Sequence, residues 1–274
     1  MHWTFDTFAS GRPDTAIFHA RTADNPFLPA GFTDTVRQQY TSSLAAQELE
    51  GDFIDAGGTL FQRGWFSLVD QIPWTATGQQ QLVQRVRAWD LAATPKDEKK
   101  ARDPDWTAGV LVGKTRDGTH YVLDVRRTRG RPQEVEALVR QTAEEDGRGV
   151  HILMEQEPGS AGVTVIDHYL RHVLSGYNFR GVRSTGSKAD RAQPVAAQAE
   201  GGTVKLLRGS WNRDLLDELE AFPFGTHDDM VDALTLAFQG VGSAAAPSRH
   251  KPMGVGGMGR LGGTLWSGNF GFRL

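Results

Sequence analysis

The sequence reads Val-Arg-Ala-Trp-Asp-Leu-Ala from Val86 to Ala92, a β-rich run that carries one carboxylate, Asp90. An ionised carboxylate inside a strand is costly unless a cation or several hydrogen-bond donors compensate its charge. Asp90 is therefore either a paired structural acid or a metal ligand, and this run alone leaves both interpretations open.

Outward from Asp90 the sequence predicts strands that alternate with helices. The runs 82–91, 107–114 and 120–125 are β-rich, and a hairpin signal, Thr115-Arg-Asp-Gly118, separates the last two. We therefore expect three consecutive antiparallel strands. The later predicted elements are a helix over 131–147, a strand over 149–154, a helix over 162–174, a strand over 179–183, a helix over 188–200, a strand over 203–207, and helices over 211–222 and 228–238.

The two ends of the chain lack this alternation. Residues 1–80 are rich in turn formers and aromatic side chains, and one helix, 33–50, is predicted there. We expect this segment to be part of something larger because it shows no self-contained core. Beyond residue 240 the chain is rich in glycine and has no acidic residue, which predicts a flexible basic tail over 241–274.

Composition excludes several classes of protein. The chain has 274 residues, of which 39% are hydrophobic and 23% charged, and this is typical of a soluble globular protein. Its net charge of −3 means that nucleic-acid binding would need local basic patches. The absence of cysteine excludes disulfides, iron–sulfur clusters and thiol nucleophiles. Without a signal sequence or a long apolar run, we expect an intracellular protein with no membrane contact.

Two further acidic positions lie at the ends of predicted elements. Glu155 ends the apolar strand that begins at Val150, and His-Asp-Asp-Met-Val-Asp, from His227 to Asp232, opens an apolar helix. Each has an ordinary explanation by itself, because a strand-end Glu is usually solvated and acids in a first turn complement the helix dipole. Together, acids from the first strand, the fourth strand and the last helix can converge on one edge of a mixed sheet.

Convergent carboxylates repel one another unless divalent cations lie between them. Oxygen ligands without cysteine favour hard ions, Mg²⁺ or Mn²⁺. Two such ions about 3.5–4 Å apart suit the in-line attack of water on a phosphodiester. The acids therefore predict a two-metal nuclease.

Five motifs in order resemble the nuclease domain of phage terminase large subunits, over residues 81–240. They are Arg87–Asp90, Met154–Gly162, Lys188–Ala192, Glu218–Pro223 and His227–Leu234. The resemblance implies an α/β RNase H-like (RuvC-type) fold, with a mixed sheet flanked by helices. It also implies a metal-dependent endonuclease that cuts double-stranded viral DNA during genome packaging.

By position in these motifs, the resemblance implies that Asp90, Glu155 and Asp229 are catalytic and hold two Mg²⁺ or Mn²⁺ ions. Asp228 is adjacent and able to share the metal. The choice among Asp228, Asp229 and Asp232 stays open at this stage, and Glu157 is a further candidate ligand.

Residues 1–80 resemble the end of the packaging ATPase domain of the same family, in the motifs 2–5, 24–28 and 50–53. The nucleotide-binding loop and catalytic acids of that domain are not in this chain, so ATPase activity is not predicted. A loose phosphate-binding pattern at 108–115 falls within a predicted strand and is rejected. The implied partners are double-stranded DNA, the terminase small subunit, the portal and an ATPase-bearing terminase part, in the host cytoplasm.

Two regions carry an excess of basic residues that could track phosphates. Residues 85–131 contain twelve basic and seven acidic side chains, and residues 171–213 contain eight and two. Phosphate contacts would be largely independent of DNA sequence, and dispersed solubilising charge is the alternative. The residues predicted to contact DNA are Arg126, Arg127, Arg129, Arg131, Lys188 and Arg191.

Three other functions fit the same residues. The first is another RNase H-like nuclease, such as a junction resolvase, which would prefer branched over linear duplex DNA. The second is a DNA-binding packaging module whose acids do not catalyse, which would shift DNA without cutting it. The third is a structural α/β domain whose acids only cap and pair, which divalent ions would not stabilise.

Overall fold

The computed structural model describes residues 15–52, 59–73, 81–92 and 105–243. Seven strands form one mixed sheet in the order β1-β7-β4-β3-β2-β5-β6. The strands are β1 (Ser67–Val69), β2 (Leu82–Asp90), β3 (Thr107–Thr115), β4 (His120–Thr128), β5 (His151–Glu155), β6 (Asn178–Val182) and β7 (Val204–Leu207). The helices are α1 (Phe32–Arg37), α2 (Ser42–Glu48), α3 (Pro132–Asp146), α4 (Ser160–His168), α5 (Lys188–Glu200), α6 (Asn212–Ala221) and α7 (Asp229–Ser243), with short 3₁₀ turns at Thr22–Asp24 and Arg63–Trp65 and a π-helical turn at Tyr169–Val173.

The centre of the sheet is the predicted antiparallel unit. β2 pairs antiparallel with β3, and β3 pairs antiparallel with β4. The turn between β3 and β4 contains Gly118 at φ +90°, a left-handed conformation that glycine adopts without strain. The loose phosphate-binding pattern at 108–115 lies within β3, as expected, and does not form a loop.

Parallel strands flank this unit and set the position of the first two acids. β5 pairs with β2 and β6 with β5, while β7 pairs with β4 and β1 with β7, all of them parallel. Because β2 and β5 are parallel neighbours, their carboxyl ends lie at the same edge of the sheet. Those ends carry Asp90 and Glu155.

Helix α7 packs across β2 and β3 and brings the third group of acids to this edge. Its residues Met230 and Leu234 are buried. Near the other end of the helix, a Cβ at Gly240 would lie 2.7 Å from the Leu153 side chain, so glycine allows the close approach. Gln84, early in β2, donates to the Gly240 carbonyl at 3.2 Å. The helix therefore runs antiparallel to β2, and its first turn lies near Asp90.

Residues 59–73 contribute to the main hydrophobic core. Phe61 is fully buried, and its ring lies 6.1 Å from that of Phe66 and 6.0 Å from that of Phe222. The Leu60 backbone N–H donates to the Phe222 carbonyl at 3.1 Å. The domain boundary near residue 80 stays a prediction, and the predicted tail lies outside the described residues from 244 onward.

Two details of the predicted elements are wrong. The single helix over 33–50 is two helices, α1 and α2, because Thr41 has extended backbone angles and its side chain accepts from the Leu44 N–H, which begins a new helix. The helix predicted over 162–174 begins at Ser160 and changes to a π-helical turn after His168. Among the described residues, no helix is both long and apolar enough to cross a membrane.

Candidate metal centre

Asp90 and Glu155 lie side by side at the carboxyl ends of β2 and β5. The preceding residues, Trp89 and Met154, are paired in the sheet. Both acids line a cavity of about 370 Å³, together with Glu157, Lys188 and Asp232. Burial raises the pKa of Asp90 well above its usual value, and the charges of Asp232, Glu155 and Asp229 raise it further. A divalent cation here would favour the ionised form.

The first turn of α7 supplies two buried acids. Asp229 and Asp232 are 6% and 5% exposed. Burial raises the pKa of both carboxyls, against the opposing effects of the Trp106 backbone N–H on Asp229 and of Lys188 on Asp232. Within the described part of the chain, the buried Oδ2 of Asp229 accepts no hydrogen bond. This oxygen is available to a cation.

Two basic residues of α5 face these acids. Lys188 Nζ lies 2.7 Å from Asp228 Oδ2 and 2.6 Å from Asp232 Oδ2. Arg191 Nη2 lies 3.3 Å from Asp232 Oδ1 and 3.8 Å from Glu155 Oε1. Partial burial would lower the pKa of Lys188, but hydrogen bonds to Asp228 and Asp232 outweigh this and raise it above the ordinary lysine value. The two predicted DNA-binding residues on α5 thus contact Glu155, Asp228 and Asp232.

Among the described residues, the acids at this edge of the sheet outnumber the basic side chains that face them. Five carboxylates face two cationic side chains, Lys188 and Arg191, an excess of three negative charges when all are ionised. Hard oxygen donors with such an excess suit Mg²⁺ or Mn²⁺. The residues of the cluster therefore fit divalent metal. They are Asp90, Glu155, Asp228, Asp229 and Asp232.

A second group of potential ligands includes the predicted ligand Asp229, but the sequence did not predict its grouping with Asp105 and His227. The group comprises Asp105, His227 and Asp229, whose potential ligand atoms lie within 4.8 Å of one another. Arg129 Nη2 lies 3.1 Å from His227 Nε2. Because a guanidinium only donates, Nε2 accepts, and a neutral ring carries its proton on Nδ1. That atom lies 3.8 Å from Asp105 Oδ1 and from Asp229 Oδ2, which is within ion-pair range but beyond hydrogen-bond distance.

The four arginines predicted to contact DNA lie at the end of β4 and before α3. Arg126 pairs with Asp124 at 2.8 Å and with Glu145 at 3.0 Å, and Arg127 pairs with Asp214. Arg127 and Arg129 also stack on Trp106, at 4.5 and 4.0 Å from the ring centroid. The Arg131 backbone N–H donates to Glu134 at the start of α3. Their contact with DNA stays a prediction.

The sequence matches two family models. Residues 87–240 match the terminase RNaseH-like domain, and residues 2–68 match the N-terminal region of the terminase large subunit of T4likevirus type. The comparison with curated proteins gave no match.

Solved terminase structures resemble the structure of this chain. The large terminase of the thermophilic bacteriophage D6E aligns with a TM-score of 0.57 and 11% identity, over 86% of this chain and 56% of that one. The chain thus spans about half the length of that terminase. The nuclease of the phage G20c large terminase aligns at 18% identity and TM-score 0.43, over 66% and 98% of the two chains. The human cytomegalovirus terminase nuclease domain aligns at 15% and 0.48, over 66% and 94%.

The D6E similarity supports the RNase H-like fold predicted for the mixed sheet and its flanking helices. The two family models cover both regions in which the sequence resembles terminase large subunits. Since the RNaseH-like model alone matches more than half of the residues, the chain belongs to the terminase RNaseH-like domain family.

Proposed function

We propose that this chain is the nuclease part of a terminase large subunit and cuts double-stranded viral DNA during genome packaging. The observation that most supports this is the partly buried acid cluster at one edge of the sheet, in a chain of the terminase RNaseH-like family. An excess of partly buried carboxylates lowers the stability of the fold unless bound cations compensate their charge. A function that binds divalent cations accounts for the excess.

The proposed metal ligands are Asp90, Glu155 and Asp229. Asp228 accepts from Lys188 through both carboxylate oxygens, at 2.8 and 2.7 Å. Each carboxylate oxygen of Asp232 faces a cationic group, Lys188 or Arg191. Asp229 is the residue of this turn that has a buried oxygen without a hydrogen bond to described residues. It is therefore the better third ligand, and Asp228 and Asp232 hold the basic residues of α5.

Two bound Mg²⁺ or Mn²⁺ ions would activate the attacking water and stabilise the leaving 3′ oxygen. The pairing of β2 with β5 fixes the positions of Asp90 and Glu155 relative to each other, and the packing of α7 fixes the position of Asp229. Lys188 and Arg191 compensate the acids before ions bind. With that charge compensated by bound ions, both side chains would be able to contact phosphate. No protein nucleophile is needed.

The remaining parts of the proposal follow the family. DNA contacts are assigned to Arg126, Arg127, Arg129 and Arg131 beside the two basic residues of α5. The partners are the terminase small subunit, the portal and an ATPase-bearing terminase part, and the host cytoplasm is the site of action. Residues 1–80 would be the end of the ATPase domain and 81–240 the nuclease domain, and the flexible tail predicted over 241–274 would begin only after α7, which ends at Ser243.

The test is cleavage of supercoiled plasmid by purified protein in Mn²⁺, in Mg²⁺ or in EDTA. We expect nicking and linearisation that EDTA abolishes. Asp90→Asn should remove most cleavage and keep the fold, because it relieves repulsion among the acids. Asp70→Asn is the matched control, since Asp70 is exposed and pairs with the exposed Arg208.

Three results would contradict the proposal. The first is cleavage by Asp90→Asn at the wild-type rate, and the second is cleavage that persists in EDTA. The third is folded protein that shifts DNA without cutting it in either metal, which would favour a packaging module that binds but does not catalyse. A strong preference for branched DNA would instead favour a junction resolvase.

A further inference from the structure

We infer that Glu218 is a positioning residue that fixes the first turn of α7, and with it Asp229, through hydrogen bonds to the backbone of that turn. This inference rests on the proposed function. Glu218 lies on α6 and is 8% exposed. Its Oε1 accepts from the Met230 N–H at 2.6 Å and from the Val231 N–H at 3.0 Å.

These two donors lie in the first turn of α7, the helix that carries the proposed ligand Asp229. The first N–H groups of an α-helix have no acceptor within the helix and need one from elsewhere. Met230 and Val231 are the second and third residues of α7. A carboxylate at this end also interacts favourably with the positive end of the helix dipole. Glu218 thus caps α7 from a different helix.

The side chain that would usually cap α7, that of Asp228, bonds to Lys188 instead. Asp228 precedes α7, and its carbonyl accepts from the Asp232 N–H at 2.8 Å, as expected of an N-cap residue. Its side chain would ordinarily accept from the N–H groups of the first turn. Instead, both of its carboxylate oxygens bond to Lys188. Glu218 supplies the acceptor that the Asp228 side chain does not.

The hydrogen bonds of Glu218 therefore affect the geometry of the proposed metal site. Asp229 immediately precedes both capped residues, so the orientation of its side chain depends on the turn that Glu218 holds. Neither Glu218 nor Asp229 lines the cavity that contains Asp90 and Glu155, but the charge of Asp229 acts on Asp90, and among the described residues Glu218 bonds only to the backbone of the turn. Its effect on cleavage would therefore be indirect, through the placement of Asp229 relative to those two acids.

Burial disfavours the ionised form of the Glu218 carboxyl. Desolvation raises the pKa of Glu218 to about 7, although the N–H groups of Val231 and Met230 favour the ionised form. A glutamine has a similar shape and keeps an oxygen that can accept both hydrogen bonds. A leucine fills similar space without an acceptor and leaves two buried N–H groups unsatisfied. The two substitutions therefore separate the hydrogen bonds from the packing.

The experiment compares Glu218→Leu, Glu218→Gln and the matched control Glu220→Gln, on the exposed side of the same helix. Mn²⁺ binding is measured by calorimetry without DNA, and plasmid cleavage is measured over a range of Mg²⁺ concentrations. Circular dichroism confirms the fold. Loss of a group that orients a metal ligand typically costs about 10- to 100-fold in metal affinity or activity. We expect a loss of that size in Glu218→Leu, and values within about threefold of wild type for Glu218→Gln.

Wild-type metal affinity and cleavage in folded Glu218→Leu would overturn the inference. Equal losses in the leucine and glutamine variants would also overturn it, because glutamine keeps the acceptor. If the leucine variant does not fold, amide hydrogen exchange in the wild-type protein decides, since rapid exchange at Met230 and Val231 would mean that the hydrogen bonds are absent. Wild-type protein that neither binds Mn²⁺ nor cuts DNA would instead refute the proposed function.

Discussion

The metal-free protein should lose stability relative to Glu218→Gln as the pH rises from about 4.5 to about 7. Burial raises the pKa of Glu218 from 4.5 to about 7 in the folded protein. Below pH 4.5 both the folded and the unfolded states hold the proton, so the carboxyl has no effect on the pH dependence. Between the two values the folded state keeps the proton that the unfolded state releases, and the free energy of unfolding falls. Above pH 7 the loss is complete.

The magnitude follows from the size of the shift. At about 1.36 kcal/mol per pH unit, a rise from 4.5 to about 7 corresponds to about 3 kcal/mol. Glutamine is neutral over the whole pH range. The other carboxyls with a raised pKa, those of Asp90, Asp229 and Asp232, are present in both proteins. Their contributions cancel to first order in the difference between the two proteins, which leaves the effect of Glu218.

The assay is urea unfolding in EDTA, followed by tryptophan fluorescence, at intervals from pH 4.5 to 8.5. We expect the free energy of unfolding of Glu218→Gln, relative to wild type, to increase by about 3 kcal/mol across this range. A difference that does not change with pH would refute the argument, because it would mean that Glu218 has the same pKa in both states. A difference that changes in the opposite direction would mean that the backbone N–H groups outweigh burial.

Three further predictions concern the buried ion pairs of Arg87, the binding of metal, and Gly162 near the start of α4. Arg87→Met should destabilise the protein by about 3–5 kcal/mol in urea unfolding, because Arg87 is 1% exposed and pairs with Asp124 and Asp146 at 2.8 and 2.7 Å; a change below 1 kcal/mol would contradict this. Mn²⁺ at 100 times its Kd should stabilise wild type by about 2.7 kcal/mol and Asp90→Asn by much less, measured by thermal unfolding, and equal shifts would count against Asp90 as a ligand. Gly162→Ala should lower both stability and cleavage, because a Cβ there would lie 2.1 Å from the Glu157 carbonyl oxygen, whereas the control Gly64→Ala meets nothing within 4 Å; equal behaviour of the two variants would contradict the requirement for glycine.

The order of strands and helices could be predicted because their residues alternate or repeat with clear periods. Helix α5 begins and ends where the sequence predicts, at Lys188 and Glu200, since Ser187 caps it and Gly201 follows it. β1 was not predicted because three residues show no period, and its existence depends on pairing with β7. The break between α1 and α2 depends on one backbone conformation at Thr41, which helix periodicity does not reveal.

The convergence of Asp90 and Glu155 follows from strand order and could be predicted. The separate roles of Asp228, Asp229 and Asp232 could not be predicted. These acids lie within five consecutive residues, and the sequence does not show which of them contacts Lys188 or Arg191. Glu218 is one of several acids in a polar helix, and nothing in the sequence shows that it is buried. The proximity of Asp105 to His227 likewise depends on tertiary packing between segments far apart in the chain.

Anomalous diffraction from crystals soaked in Mn²⁺ tests most directly the claim that Asp90, Glu155 and Asp229 hold divalent metal. We predict manganese peaks at about 2.1 Å from carboxylate oxygens of these residues. Manganese bound only between Asp105 and His227, or no ordered manganese in protein that cuts DNA in Mn²⁺, would contradict the account.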